Sequence, residues 1–255
     1  DVTRGGAKYN LSGIQMIQIA NLADSLAAIK KLVYEDHLLD SKELLTALQD
    51  DFKGHEITQA MLLNKVPKYG NDIAWVDECG AKWARYFRNK MKEYKNYRGG
   101  PIHTGMYTVS AHVPMGENVG ASPDGRNAYT PLADGGMSPV YGRDLAGPTA
   151  VLKSVSKLDD DLTTNGGLLN MKFLPDFFKT EAGRMKLRGL RRRATGGRKD
   201  RFVFDRINLL TWYENGFILS PTQGRERRQM KHTADARHRL PGRMRCSQTN
   251  SRQTD

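Results

Sequence analysis

Cysteine is nearly missing from this chain. Cys79 and Cys246 are the two among 255 residues, too few for a disulfide framework or a metal-binding knuckle. No apolar run approaches the roughly 18 residues of a membrane span. The first residues, with Asp1, Thr3, Arg4 and Lys8, lack the apolar core of a signal peptide. These absences together point to a reducing, cytoplasmic setting away from membranes. An initiator Met is also missing and the chain starts beside Gly5 and Gly6, so a fragment of a longer protein is expected.

Familiar catalytic motifs are absent as well. There is no phosphate-binding loop, no Gly-x-Gly-x-x-Gly opening a helix after a strand, and no Gly-x-Ser-x-Gly elbow. His55-Glu56 is not followed by a second His at zinc-protease spacing, and the six histidines form no ligand pair, so no metal site is expected. Cys79 falls in a helical pattern with nothing nearby to lower its pKa, which makes a packed thiol the reading for it. No residue of the chain is expected to be catalytic.

Charge is present but uneven. The net +12 divides into 24 Lys+Arg against 22 Asp+Glu over residues 1–190, and 16 against 6 over residues 191–255. Lys outnumbers Arg 16 to 8 in the first part, and Arg outnumbers Lys 14 to 2 in the second. We therefore divide the chain at 190 and expect the Arg-rich tail to be irregular and disordered. Such a tail can hold phosphate non-specifically, with Trp212, Tyr213 and Phe217 available to stack bases. Binding of nucleic acid or an acidic partner is thus the alternative function, and the less favoured one.

Several helices are legible. Leu22, Leu26, Ile29 and Val33 recur at helical spacing, as do Leu44, Leu45 and Leu48 behind a Ser41 cap, and Ile57, Met61 and Leu62 before Asn64 and Pro67. The longest helix starts at an Asn71 or Asp72 cap and places Ile73, Val76, Trp83, Phe87 and Tyr94 on one stripe. Gly80 within it predicts close approach of a neighbouring backbone, and Trp83→Ala is expected to cost several kcal/mol. Tyr107, Val109, Ala111 and Val113 then alternate with Thr108, Ser110 and His112, the period of a strand with two unlike faces. The polar face either meets water or lines a lumen.

Residues 120–173 are dense in Gly, Pro, Asp and Ser yet keep short apolar runs. Loops this long inside a compact domain usually carry function, and this one is read as a site wall. Ser122-Pro123-Asp124-Gly125 is a turn by its chemistry. Gly147-Pro148 starts a helix with Val151, Val155 and Leu158 on one side. Asn165-Gly166-Gly167 breaks the chain before Leu168 to Phe173, a buried strand. Strand, loop, helix, strand is an α/β rhythm.

Seven ordered blocks carry a family resemblance: GGAKYNLSGIQ with IANLADSLAAIKKLV, LLNKVPKYGND, YTVSAHVPMG, ASPDGR, PLADGGMSP, YGRDLAGPTAVLKSVSKLD, and TNGGLLNMKF. The chain resembles the glycyl radical enzymes of the pyruvate formate-lyase-like group over residues 4 to 190. The wording is closer to the dehydratase and lyase branch than to formate acetyltransferase itself. The resemblance implies an α/β fold, part of a ten-stranded barrel, in which a cysteine thiyl and a glycyl radical meet. It makes Met106 to Val113 a barrel strand, with Thr108, Ser110, His112, Asn165 and Asn170 as candidate lining of a pocket for a small polar substrate such as a diol, choline or hydroxyproline.

The resemblance also implies an anaerobic enzyme, which a radical SAM iron-sulfur enzyme activates by installing the glycyl radical, and a homodimer. No cofactor is expected to bind this chain itself. The family's catalytic Cys lies upstream of the GGAKYN block, and an Arg-Val-x-Gly-Tyr segment does not occur in the sequence. The expectation is therefore a piece of the barrel domain over 1–190, without a glycine radical domain and inactive alone, followed by a non-family tail of frameshift type over 191–255.

Overall fold

The computed structural model describes residues 8–158, 163–173, 179–195 and 207–211. The chain divides into two units, residues 1–219 and 220–255, and every described residue belongs to the first.

The element order is mixed α/β. Strand β1 (Ser12–Gln15) leads into helix α1 (Ile19–Ala28) and a π-helical continuation over Ile29–Glu35. Helices α2 (Ser41–Gln49), α3 (Glu56–Asn64) and α4 (Ala74–Met91) follow, then strand β2 (Ile102–Gly105). A short helix α5 (His112–Gly116) precedes the Gly-rich loop, which ends at α6 (Pro148–Ser156). Strand β3 (Leu169–Phe173), helix α7 (Glu181–Thr195) and strand β4 (Ile207–Thr211) complete the order.

Both strand pairs among the described residues are parallel. β1 lies on β2 with Ser12 opposite Ile102 and Gln15 opposite Gly105, and β3 lies on β4 with Leu169 opposite Ile207. Between the two pairs, Met106 bridges Gly167. The Asn165 N–H donates to the Thr104 carbonyl at 2.9 Å, Met106 N–H to Gly166 at 2.8 Å, and Leu168 N–H to Met106 at 2.9 Å. Parallel strands need long crossovers, and α1 to α4 supply the first of them.

The core is built where α1 meets α4. Ile19, Ala20, Ala23 and Ala27 on α1 and Val76, Ala81 and Ala84 on α4 are all fully buried. A Cβ added at Gly80 would lie 3.4 Å from both the Ala23 Cβ and the Ile19 Cγ1, an ordinary contact with side chains, so Gly80 packs against α1 without the backbone contact expected there. Small residues bring the two helices together, and this rotates the buried stripe away from the expected one. Leu22, Ile29 and Val33 pack only at the margin of the core, Trp83 is 43% exposed and Tyr94 is 49% exposed. The α4 face that is buried includes Asp77 and Arg88 instead.

Two further corrections concern local chemistry. Asp40, not Ser41, caps α2: its carboxylate accepts from Lys42 N–H at 2.7 Å and Glu43 N–H at 3.4 Å. Helix α4 starts after Ile73, with no side-chain cap from Asn71 or Asp72. Asp72 is instead held by Lys153 and Lys157 of α6 and its following turn, at 2.8 and 2.9 Å.

The largest correction is the strand expected over Met106 to Val113. The strand ends at Gly105, Met106 adds one bridge, and the chain then turns: the Ala111 N–H returns to the Thr108 carbonyl at 2.8 Å and α5 begins at His112. Val109 sits at φ 53°, a left-handed conformation that is uncommon for a β-branched residue and incompatible with a strand. Residues beyond 211, including the expected disordered tail, lie outside the described residues, and of 191–211 only α7's last turn and β4 are described.

Candidate functional site

The C-terminal ends of parallel strands are where α/β folds place their sites, and here a loop crosses the C-terminal end of β2, level with the start of β3. Residues 133–138 lie against the junction of β2 and β3. The Leu168 carbonyl accepts from Gly136 N–H at 3.2 Å and from Met137 N–H at 3.1 Å. A Cβ on Gly136 would collide with the Met106 carbonyl, which is why glycine is required there. On the neighbouring strand, Gln15 turns its amide over Gly105, and its Oε1 accepts from Tyr107 N–H at 3.3 Å.

The expected lining residues divide into two groups. Thr108 is buried and donates its hydroxyl to the Gly135 carbonyl at 2.8 Å. Asn170, on β3, donates its N–H to the Ser138 hydroxyl at 2.8 Å. Asn165 lies across Gly13 of β1, where any Cβ would overlap its amide. These three therefore gather around the strand ends and the 133–138 loop. Ser110 is exposed in the turn after β2, and His112 stands half-buried on α5 with its Nδ1 unpartnered. Alternation alone puts Thr108, Ser110 and His112 on one strand face, and the turn at Thr108–Ala111 separates them.

Sequence reasoning missed Gln15, Gly105 and Gly136. The paired glycines at 135–136 and 166–167 were the available signal, because two backbones touch only where side chains are absent.

A second polar cluster holds the loop onto the helices and was also missed. Asn21 donates to Asp124 Oδ2 at 2.6 Å and accepts from Ala133 N–H at 2.9 Å. Asp124 Oδ1 accepts from Ser122 Oγ at 2.6 Å. Lys68 is buried and donates to the carbonyls of Leu62 at 2.7 Å and Asp124 at 3.3 Å. Asp24 Oδ1 accepts from Tyr69 N–H at 2.7 Å. Burial pushes the Asp24 carboxyl up to about 7, against the opposing pull of Lys68. Burial likewise pulls the Lys68 ammonium down.

Chemically, the strand ends offer amides and hydroxyls for orienting a polar molecule, and no nucleophile. Cys79 donates to the Trp75 carbonyl at 3.3 Å, and burial pushes its thiol up, away from the reactive thiolate. Among the described residues no group of three or more His, Cys, Asp and Glu could hold a metal ion, and no helix is long and apolar enough to cross a membrane.

Comparison with known proteins decides what this wall belongs to. A family model described as "Pyruvate formate lyase-like" matches residues 1–116, and one described as "Glycine radical" matches residues 133–201. The "Probable dehydratase YbiW" of Escherichia coli (strain K12) is 44% identical over 195 residues, 73% of this chain and 24% of that protein. The chain belongs to the glycyl radical enzymes.

Solved glycyl radical enzymes share its fold. The glycerol-bound B12-independent glycerol dehydratase of Clostridium butyricum superposes with a TM-score of 0.70 at 45% identity, over 74% of this chain and 24% of that one. The substrate-bound hydroxyproline dehydratase of Clostridioides difficile gives 0.75 at 33% identity, over 92% and 28%. This glycyl radical enzyme chain spans about a quarter of the length of these relatives. The second family match supports a protein-borne radical, and it places residues 133–201 in a glycine radical model where no such domain was expected. The Arg-Val-x-Gly-Tyr segment nevertheless does not occur in the sequence.

Proposed function

We propose that this chain forms part of the barrel wall of a glycyl radical dehydratase or lyase acting on a small polar, hydroxyl-bearing substrate. One observation carries the reading. Parallel pairing runs from β1 through β2 onto residues 165–168, and the 133–138 loop is pinned across those strand ends by Thr108, Gly136 and Ser138. The similarity to a glycerol dehydratase and a hydroxyproline dehydratase supports that substrate class. In a ten-stranded barrel these strands would supply one side of the lumen.

A glycyl radical supplies, through a cysteine thiyl, the means to take hydrogen from a substrate carbon. The work of the residues in this chain is different. Gln15, Thr108, Asn165 and Asn170 hold the strand ends and the crossing loop in one arrangement, so that backbone and side-chain dipoles are preset around the substrate. The packed loop keeps water from the strand ends. Radical installation by a separate radical SAM iron-sulfur enzyme, a cytoplasmic location, a homodimeric assembly and inactivity of this chain alone all belong to the same proposal.

A chimaera tests it. Residues 9–173 replace the matching segment of the Clostridium butyricum glycerol dehydratase, which is then activated anaerobically and assayed. The expected result is a glycyl doublet in electron paramagnetic resonance and glycerol dehydration within about tenfold of the parent, a barrier change of about 1.4 kcal/mol. A folded chimaera that takes the radical but does not dehydrate glycerol overturns the site-wall reading. One that fails to fold overturns the shared barrel.

The change of character near 190 belongs here too. The switch from Lys to Arg falls at 190, helix α7 continues to Thr195, and the family match ends at 201. We place a change of reading frame between 190 and 201. Translation of the coding DNA in the other frames should restore an Arg-Val-x-Gly-Tyr segment, and its absence from both frames rejects the idea. The alternative of nucleic-acid binding rests on composition alone.

A further inference from the structure

The polar cluster beneath the Gly-rich loop borders a half-open cavity of about 290 Å³ between α1, α3 and the loop. That is near the small end of the range of about 300–1,000 Å³ for ligand pockets, a size for a small metabolite rather than a nucleotide. Its wall includes Asp24, Gln59, Asp124, Arg126, Asn127 and Arg143.

Most of these polar groups already have partners. Arg126 donates to the carbonyls of Asn127, Thr130, Val119 and Gly120 and to Ser122 Oγ. Both Asp124 oxygens accept, from Ser122 and Asn21. The Asn127 amide is tied to Gln59 at 2.9 Å and to Asp51 at 3.2 Å. Gln59 uses its Nε2 on Asn127 and on the Gly125 carbonyl at 3.0 Å.

Three functional groups remain. Asp24 is 1% exposed, its Oδ1 is taken by Tyr69, and its Oδ2 is buried without a partner. Gln59 Oε1 has no donor and the Arg143 guanidinium has no hydrogen-bond partner among the described residues. A buried carboxylate oxygen left unsatisfied is costly, and on a residue that lines a polar cavity it points to a place where something binds. Two acceptors and one cation remain in one small cavity.

We propose that this cavity binds a small zwitterion of amino-acid type, its ammonium held by Asp24 Oδ2 and Gln59 Oε1 and its carboxylate by Arg143. Charge balance favours that class. An ammonium neutralises Asp24 and a carboxylate neutralises Arg143, while Lys68, Arg126 and Asp124 keep their existing partners. Lone waters would satisfy the same atoms but would leave the buried Asp24 charge without a counter-charge in the cavity. The site goes beyond the barrel-wall role, and its test does not depend on radical chemistry.

The groups facing Asp24 are Lys68, Asp124 and Arg143. Its carboxyl, pushed up to about 7 by burial, must be ionised to hold an ammonium, so affinity rises with pH through that region.

The test is calorimetric titration of the full 255-residue chain with glycine, alanine, serine and proline at pH 8, with propylamine and propionate as single-ended probes. At least one amino acid is expected to bind with a Kd below about 1 mM. Propylamine and propionate are each expected to bind about tenfold or more weaker. Arg143→Gln, at a half-exposed position without a hydrogen-bonding role, should fold and weaken the amino acid about tenfold while leaving propylamine unchanged. Lowering the pH to 5.5 should weaken the wild-type chain about tenfold as well. No binding by any of the four at about 10 mM, equal binding of propylamine, or full affinity in Arg143→Gln overturns the proposal.

Discussion

Asn21 Nδ2 donates to Asp124 Oδ2 across 2.6 Å, although the two residues are 103 positions apart. The same side chain accepts from Ala133 N–H at 2.9 Å. One carboxamide on α1 therefore fixes two points of the Gly-rich loop, one in the Ser122–Gly125 turn and one at the start of the segment that crosses the strand ends. The loop's shape is dictated from the helix layer.

Replacing Asn21 follows directly. Asn21→Ala leaves a buried carboxylate oxygen and a buried N–H without their partner, for a loss of about 2–4 kcal/mol. Asn21→Asp, nearly isosteric, puts a carboxylate where the Asp124 carboxylate was being donated to, and should be at least as damaging. Urea midpoints of the two variants measure this, and an Asn21→Asp chain as stable as wild type contradicts the assigned hydrogen bond.

Gly80 separates two effects of the same atom. In Gly80→Ala the new Cβ meets Ala23 and Ile19 at 3.4 Å, an ordinary contact, beside a helix-propensity gain of about 1 kcal/mol. A change within about 1 kcal/mol is expected. Gly80→Leu forces α1 and α4 apart and should cost about 1–3 kcal/mol or more. Thermal unfolding of the pair distinguishes a close crossing from a loose one, because a loose crossing would accept both.

Trp83 and Arg88 reverse the usual ranking of an aromatic over a charge. Trp83 is 43% exposed and meets Tyr86 edge-on at 5.5 Å between ring centres, so Trp83→Ala should cost no more than about 1.5 kcal/mol. Arg88 is 1% exposed, with its guanidinium on the Leu158 carbonyl and the Met106 sulfur. Arg88→Ala leaves that carbonyl unpaired beside a cavity and should cost about 3–5 kcal/mol. Equal losses in the two variants would show that the stripe on α4 is misplaced.

Asp24 gives a pH dependence of definite sign. Its carboxyl ordinarily titrates at 3.8 and in the fold is pushed up to about 7. The folded chain therefore holds the proton more tightly than the unfolded chain between those values. Its contribution to stability is greatest below pH 3.8 and falls as pH rises to about 7, by an amount of up to about 4 kcal/mol. Asp24→Asn removes that fall. The stability difference between variant and wild type, read from urea titrations at pH 5 and pH 8, should move in the variant's favour at the higher pH. A difference that does not change with pH rules out the buried, protonatable carboxyl.

The helices, the strand at Leu169–Phe173 and the Gly147-Pro148 helix start were legible because each is a local matter of periodicity, propensity and capping. Order along the chain was equally informative, since the motif blocks alone identified the family. The strand expected at 106–113 shows where local reading stops. Its alternation was real, but Thr108 is drawn off to Gly135, 27 residues further on, and Val109 beside it takes a positive φ in the turn that follows. The α4 stripe failed for a related reason: it was drawn through the large residues Trp83, Phe87 and Tyr94, whereas the approach of α1 buries Gly80, Ala81 and Ala84.

What the sequence by itself determined is the family, the α/β rhythm and the positions where backbone must come close to backbone, because these depend on residue type and order. Only the tertiary structure decided which polar residues meet. Asn21 with Asp124, Asp24 with Lys68, and Thr108 with Gly135 are each separated by long stretches of chain, and no local pattern encodes a pairing that exists only once the helices have packed. Burial then set their energetics, leaving Asp24 with a proton near neutral pH and an oxygen without a partner.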